Sequence, residues 1–277
     1  MTALGLVAGG GALPLTLAEQ CAAAGRPVFV VRLRGFADPA LARFPGAEIG
    51  VAELGAIFTA LRRAGCRSVC MAGTVSRPDF AALKPDLRGL RALPGAIAAA
   101  GKGDDALLRF LLSEFEREGF TVEGAHEVSA PLTLAPGPLG RHAPDPAALA
   151  DIARALTVAR ALGGLDVGQG AVVCDNLVLA VEAQEGTDAM LARVDSLPPA
   201  IRGTPAARRG VLAKAIKPGQ EARMDMPVIG PRTIEGAAAA GLAGVAGEAG
   251  RVLLIDRPAV IEVADRHGLF VFGVEPA

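Results

Sequence analysis

Short apolar runs alternate with stretches of helically spaced apolar positions along most of the chain. Residues 4–8 are continuously apolar, Gly9, Gly10 and Gly11 follow, and residues 13–24 carry apolar side chains at helical spacing up to Gly25. A β-branched run over 28–33 completes a strand–helix–strand unit, in which a helical crossover makes the two strands parallel. Residues 49–51, a helix over 53–64 and a strand over 68–72 continue the alternation. This order predicts a Rossmann-like, doubly wound parallel sheet. A helix then opens near Asp104 with Leu107, Leu108, Leu111, Leu112 and Phe115 on one face. Residues 121–128 read as a strand.

The pattern breaks between 129 and 148, where Pro131, Pro136, Pro138, Pro144 and Pro146 fall together. Each proline fixes its φ, so residues 131–146 read as a semi-stiff linker between a domain over 1–130 and another over 147–277. The second half predicts a helix over 146–162. Two strands, 171–174 and 177–182, flank Asp175-Asn176, a dipeptide suited to a two-residue hairpin turn. A helix over 187–195, a strand over 211–216, a helix over 235–241, a strand over 252–256, a helix over 258–266 and a strand over 269–274 follow. Alternation with an inserted hairpin predicts an α/β domain with a mixed sheet.

Composition narrows the function classes. The 277 residues carry 28 basic and 29 acidic side chains, a formal charge of −1. Nucleic-acid binding normally needs a basic excess, so it is not expected. Apolar residues make up 51%, enough for packed cores. No apolar run reaches the roughly 18 residues of a membrane span, and the first residues lack the basic region of a secretory signal. Cys21, Cys66, Cys70 and Cys174 and three histidines show no zinc-ligand spacing. Reduced, structural thiols in a cytoplasmic protein are the expectation. Trp and Tyr are absent, which removes most stacking platforms for bases.

Several polar clusters stand out against this background. Gly9–Gly11, at a strand-to-helix turn, suits backbone approach to a phosphate. The dinucleotide fingerprint is broken, because Pro14 stands where its third glycine belongs and the second strand ends near Arg32 instead of an acid. Gly73-Thr74-Val75-Ser76-Arg77 follows another strand and so falls on the same rim, where Ser76 and Arg77 can meet phosphate oxygens. Lys102 sits between two glycines before Asp104 and Asp105; helix capping explains one of those acids without a ligand. Glu182, Glu185, Thr187 and Asp188 gather hard oxygen donors of the kind that Mg²⁺ or Mn²⁺ takes. The longest polar loop runs from Lys214 through Lys217, Glu221, Arg223 and Asp225 to Thr233. Long ordered loops in compact domains are commonly functional. These residues together point to an enzyme of a phosphate-bearing ligand, with a divalent cation and a cleft that closes between the two halves.

LGLVAGGGALP, AGTVSRPDF, GKGDDALLR, LGGLDVGQGAVV, VLAVEAQEGTDAML and KPGQEARMDMPVIGPRT resemble, in order and across almost the whole chain, the UDP-2,3-diacylglucosamine pyrophosphatases of the LpxI type. Glu221 departs from the pattern, where Asp is expected. The resemblance implies hydrolysis of UDP-2,3-diacylglucosamine to 2,3-diacylglucosamine 1-phosphate (lipid X) and UMP, a step of lipid A synthesis in Gram-negative bacteria. It also implies two domains with the lipid held between them, and assistance by Mg²⁺ or Mn²⁺. The family's essential aspartate maps onto Asp225.

The expected site follows. Asp225, Lys214 and Lys217 are catalytic; Asp225, Glu182, Glu185 and Asp188 hold the metal. Gly10, Gly11, Ala12, Ser76, Arg77, Lys102, Gln169, Thr187, Arg223 and Thr233 bind substrate. The competing reading is a nucleotide-sugar or dinucleotide-dependent enzyme of another class, using the Rossmann-like half. A lipid-linked nucleotide sugar is the expected partner. Peripheral contact with the inner membrane and a homodimer are compatible with it, although no basic amphipathic helix of the interfacial kind is legible.

Overall fold

The computed structural model describes residues 2–76, 80, 82–219 and 221–276, and every count below refers to these. The chain divides into two compact units, Met1–Ala130 and Pro131–Ala277.

The first unit runs β1 (Ala3–Ala8), α1 (Leu13–Ala23), β2 (Val28–Leu33), β3 (Gly46–Ile49), α2 (Leu54–Arg63), β4 (Cys66–Ala72), α3 (Leu87–Ala100), α4 (Asp104–Arg117), β5 (Thr121–Val122) and α5 (Ala125–Val128). Its five strands lie in the order β3-β2-β1-β4-β5, and every pairing is parallel. Leu4, Leu6, Val30, Val31, Val69 and Cys70 are fully buried, as strands covered on both faces require. The strand order reverses direction between β1 and β4. In open α/β sheets that switch point opens a crevice at the carboxyl ends of the strands.

The second unit runs β6 (Gly137–Leu139), α6 (Pro146–Gly164), β7 (Gly170–Cys174), β8 (Leu177–Val181), α7 (Gly186–Asp195), β9 (Val211–Lys214), β10 (Val228–Ile229), α8 (Pro231–Ala239), β11 (Gly244–Glu248), β12 (Leu253–Leu254), α9 (Arg257–His267) and β13 (Phe270–Val274). Six strands form one mixed sheet, β6-β13-β11-β9-β7-β8. Its three central strands β13, β11 and β9 are mutually parallel, with β7 and β6 antiparallel to their neighbours. One face packs Ala155 and Ala159 of α6 on Ala171, Val173, Val211 and Ala213. The other packs Leu191, Ile234 and Val260 of α7, α8 and α9 on Val172, Leu212 and Val245. The hairpin forms at Asp175-Asn176, where both residues have positive φ (50° and 64°), as a type I′ turn demands. The buried Asp151 carboxylate accepts both of their amide N–H groups, at 3.0 and 2.7 Å.

Several expectations change, beginning with β10 and the central strand β11, which were not expected, and β3, which lies at 46–49 instead of 49–51. Residues 121–128 are not one strand: β5 stops at Val122, and the Glu127 carboxylate accepts the Gly124 N–H at 2.7 Å, which starts α5. The proline-rich stretch is not only a linker, since β6 within it pairs antiparallel with β13. Edge strands tolerate proline, and Pro138 sits on this one. α8 begins at Pro231 instead of 235, because proline suits a first helical turn. The strand expected at 252–256 is cut to Leu253–Leu254, since Asp256 turns left-handed (φ 54°) and caps α9. Finally, α3 was not expected; it carries Pro94 in its interior and turns its large apolar residues outward, unlike a helix read from a buried stripe.

Candidate functional site

At the switch point of the first unit the β1–α1 and β4–α3 loops interlock. The Gly10 N–H donates to the Thr74 carbonyl at 2.8 Å, and the Thr74 N–H returns to the Gly10 carbonyl at 2.9 Å. A Cβ at Gly9 would lie 2.6 Å from the Thr74 carbonyl oxygen, and one at Gly73 (φ 91°) would lie 2.5 Å from the Gly10 carbonyl oxygen. Only glycine permits this approach. Gly11 (φ 85°) and Ala12 then lead into α1, whose start has no side-chain cap. Peptide N–H groups at such a start favour an anion. Ser76 is exposed on the same rim. Gly10, Gly11 and Ala12 thus share one turn, Ser76 follows two residues after Thr74 in the facing loop, and Arg77 lies outside the described residues. Lys102 is exposed in the turn between α3 and α4. Asp105 is paired with Arg109 one helical turn on, at 2.7 Å.

The chemistry of the second unit centres on Lys214, the last residue of β9. The register places Gly247 of β11 on one side of it and Gly170 of β7 on the other. Gly273 and Gly137 extend the same row outward. Beyond Gly170 the row reaches Glu182, whose N–H donates to the Gly170 carbonyl at 2.9 Å. Side chains alternate along a strand, so Lys214, Gly170 and Glu182 share the face of Leu212, Val172 and Ala180. Gly170 leaves the space between the two charges open. A Cβ there would lie 2.8 Å from Glu182 Oε2.

Across that gap, Lys214 Nζ stands 3.8 Å from Glu182 Oε1. It donates to the Val228 carbonyl at 3.1 Å. Lys214 is 4% and Glu182 6% exposed. Burial pushes the Lys214 ammonium below its usual pKa, and the charges of Glu182, Asp188 and Asp225 act against that shift. Glu182 is thus within ion-pair distance of this buried cation, and the charges of Asp188 and Asp225 favour its protonated form. The Thr187 hydroxyl donates to Glu182 Oε1. Glu182 Oε2 is buried without a hydrogen-bond partner among the described residues, as is Gln169 Oε1.

The four expected metal ligands do not form a cage. Among the described residues no three His, Cys, Asp or Glu side chains could hold a metal ion. Glu185 pairs with Arg193 at 3.0 Å and Asp188 with Arg232 at 2.8 Å, and Glu182 faces the Lys214 ammonium. The donor set therefore does not fit an all-protein metal site. A cation held mainly by substrate phosphate and water, the usual mode for Mg²⁺, would need no such cage.

The remaining predicted residues serve local structure in this state. Lys217 Nζ is 2.7 Å from Asp166 Oδ1, which ties the long loop to the α6–β7 turn. Arg223 meets both oxygens of Glu221 at 2.9 Å, so Glu221 serves as a fork for that arginine. The Thr233 hydroxyl accepts the Gly230 N–H at 3.4 Å and closes the start of α8. Sequence reasoning missed the glycines at 170, 247 and 273, which are far apart along the chain and fall into one row with Lys214 only through the register. It also missed Glu248, 3% exposed, which accepts from Arg160 Nε at 2.9 Å.

Residues 3–132 match the LpxI N-terminal domain family and residues 135–272 the LpxI C-terminal domain family. A curated protein of Caulobacter vibrioides, named UDP-2,3-diacylglucosamine pyrophosphatase LpxI, is 64% identical over 276 residues, covering 100% of this chain and 99% of that protein. The matches span both units and include every block that carries the buried lysine, Glu182 beside it and the interlocked glycine loops, and on that ground the chain belongs to the LpxI family.

Proposed function

We propose that the protein is a hydrolase that splits the pyrophosphate bond of UDP-2,3-diacylglucosamine into UMP and 2,3-diacylglucosamine 1-phosphate, in lipid A synthesis. The observation that carries the reading is the buried Lys214 at the carboxyl edge of β9, 3.8 Å from the equally buried Glu182 carboxylate. Water adds to one phosphorus, the P–O anhydride bond breaks, and the leaving phosphate takes the electron pair. Charge grows on non-bridging and leaving oxygens as this happens. An ammonium fixed by a carboxylate and a carbonyl meets that charge without reorganising, and burial strengthens its effect.

Asp225 orients the attacking water through its carboxylate. With the substrate's phosphate oxygens it would also hold Mg²⁺ or Mn²⁺, which when bound neutralises phosphate charge. Lys217 reaches the phosphates from its tether on Asp166. The peptide N–H groups of Gly11 and Ala12, just past the turn that Gly10 makes with Thr74, suit the sugar phosphate, with Ser76 as a further donor. Four buried free cysteines and a nucleotide-sugar substrate accord with a cytoplasmic enzyme. No helix among the described residues is long and apolar enough to cross a membrane.

The test is incubation of the purified protein with UDP-2,3-diacylglucosamine, with and without a chelator, and measurement of UMP. UMP should appear and should fall on chelation. Asp225→Ala should abolish turnover while the variant still binds substrate, because that carboxylate acts on the transition state more than on the ground state. Near-normal turnover in Asp225→Ala would remove the mechanism.

A further inference from the structure

Helix α3 inverts the usual amphipathic arrangement. Leu87, Leu90 and Ile97 are 80%, 56% and 48% exposed, and Pro94 and Ala98 beside them are exposed too. At 3.6 residues per turn these five positions fall within an arc of about 100°. Arg91, also exposed, borders the arc, and the helix holds no acidic residue. Exposed Lys84 precedes it and exposed Lys102 follows it.

The inner face cannot rotate to bury this stripe. A Cβ at Gly89 would lie 1.9 Å from the Ala52 carbonyl oxygen, and one at Gly95 would lie 2.6 Å from Phe110 Cε2. Arg88 is clamped to Glu114 at 2.7 Å and to Glu118 at 3.0 Å. The apolar face is therefore held outward by close backbone contact, and an outward apolar stripe marks an interaction surface.

We propose that this face of α3 seats the protein on an anionic lipid bilayer, lying in the plane of the headgroups; the proposal rests on the functional reading above, which gives the enzyme a diacylated substrate. Leucine and isoleucine on one arc with cations at its border and ends suit such a surface. Fourteen residues rise about 21 Å, too short to span a hydrocarbon core of roughly 30 Å. A second copy of the chain fits less well, because a stable interface draws about 20–30 residues from each side and the stripe is one helix wide.

The test is co-sedimentation of the full chain with vesicles of phosphatidylcholine alone and of phosphatidylcholine mixed with phosphatidylglycerol. Binding should favour the mixed vesicles by roughly tenfold or more. Leu87→Gln/Leu90→Gln/Ile97→Gln should lower it by roughly tenfold or more, and Arg91→Glu by less. Both variants should keep the wild-type unfolding midpoint and full UMP release from detergent-dispersed substrate. Wild-type protein that ignores vesicles, or a triple variant that binds them unchanged, overturns the proposal. So does a particle mass that halves in the triple variant without vesicle binding, which would assign the stripe to a second copy. Vesicle binding is read without turnover, so its persistence alongside absent UMP release strikes the functional reading alone.

Discussion

In the first unit glycine brings two backbones together, whereas in the second it clears room for one long side chain. Gly9 and Gly73 let the loops after β1 and β4 share a pair of hydrogen bonds, so the rim offers peptide groups and little charge. Gly170 stands between Lys214 and Glu182 and leaves the ammonium a path to that carboxylate, so this edge offers one concentrated charge. A peptide rim suits holding a ligand; a buried cation suits stabilising charge that appears during reaction. The contrast predicts that damage to the first region acts mainly on KM and damage to the second mainly on kcat.

The largest effect should come from Lys214→Met. Turnover should fall on the order of 10²–10³-fold, the usual loss when one preorganised charge donor is removed. Stability should fall too, because Glu182 would be left buried and unpaired. Lys214→Met/Glu182→Gln should recover the unfolding midpoint without recovering turnover. A double variant that stays as unstable as the single one would show that the pair is not the coupled unit described.

Two glycine substitutions then separate the regions. Gly73→Ala forces a Cβ against the Gly10 carbonyl at a positive φ and should raise KM by about tenfold, equal to some 1.4 kcal/mol. Gly170→Ala pushes on the Glu182 carboxylate and should lower kcat by a similar factor of about ten with little change in KM. Steady-state kinetics on both decide the matter; the reverse pattern would exchange the roles of the two regions.

A pH effect follows from an ion pair in the first unit that belongs to neither glycine set. Arg26 donates to Glu123 at 2.8 Å and holds its carboxyl below the usual range, against the opposing effect of burial. The contribution to stability is present above the unfolded glutamate value of about 4.3 and is lost as pH falls through the lower folded value. The stability gap between wild type and Arg26→Ala should therefore shrink on acidification through that window, as read by chemical unfolding. UMP release at neutral pH should not separate the two.

The smallest effects are expected from Glu185→Gln and Asp188→Asn, within about threefold in kcat. Both carboxylates are engaged by surface arginines. A collapse of activity in either variant, rescued by excess Mn²⁺, would restore them as metal ligands.

The legible parts of the fold were those written in consecutive residues. β1, α1 and β2 follow from an apolar run, three glycines and a helical spacing. The hairpin turn follows from Asp175-Asn176, whose side chains tolerate positive φ. The rim glycines are adjacent in the chain, so they too could be read. The Lys214 row was not legible, since its members come from five strands and meet only through a strand order in which β6 and β13 are neighbours. The carboxylate cluster at 182–188 suggested a cation site, but Arg232, distant in sequence, captures Asp188 and removes it. Pro94 and the outward setting of Leu87, Leu90 and Ile97 hid α3.

The antiparallel pairing of β6 with β13 has a practical corollary for dissecting the protein. A truncation that begins the second half at the α6 helix would strip β6 away and leave the N–H and C=O groups of β13 facing solvent along one side. Bare sheet borders recruit other chains, so such a fragment should precipitate or swap strands. One that starts at Pro131 keeps its own cover and should stay dispersed.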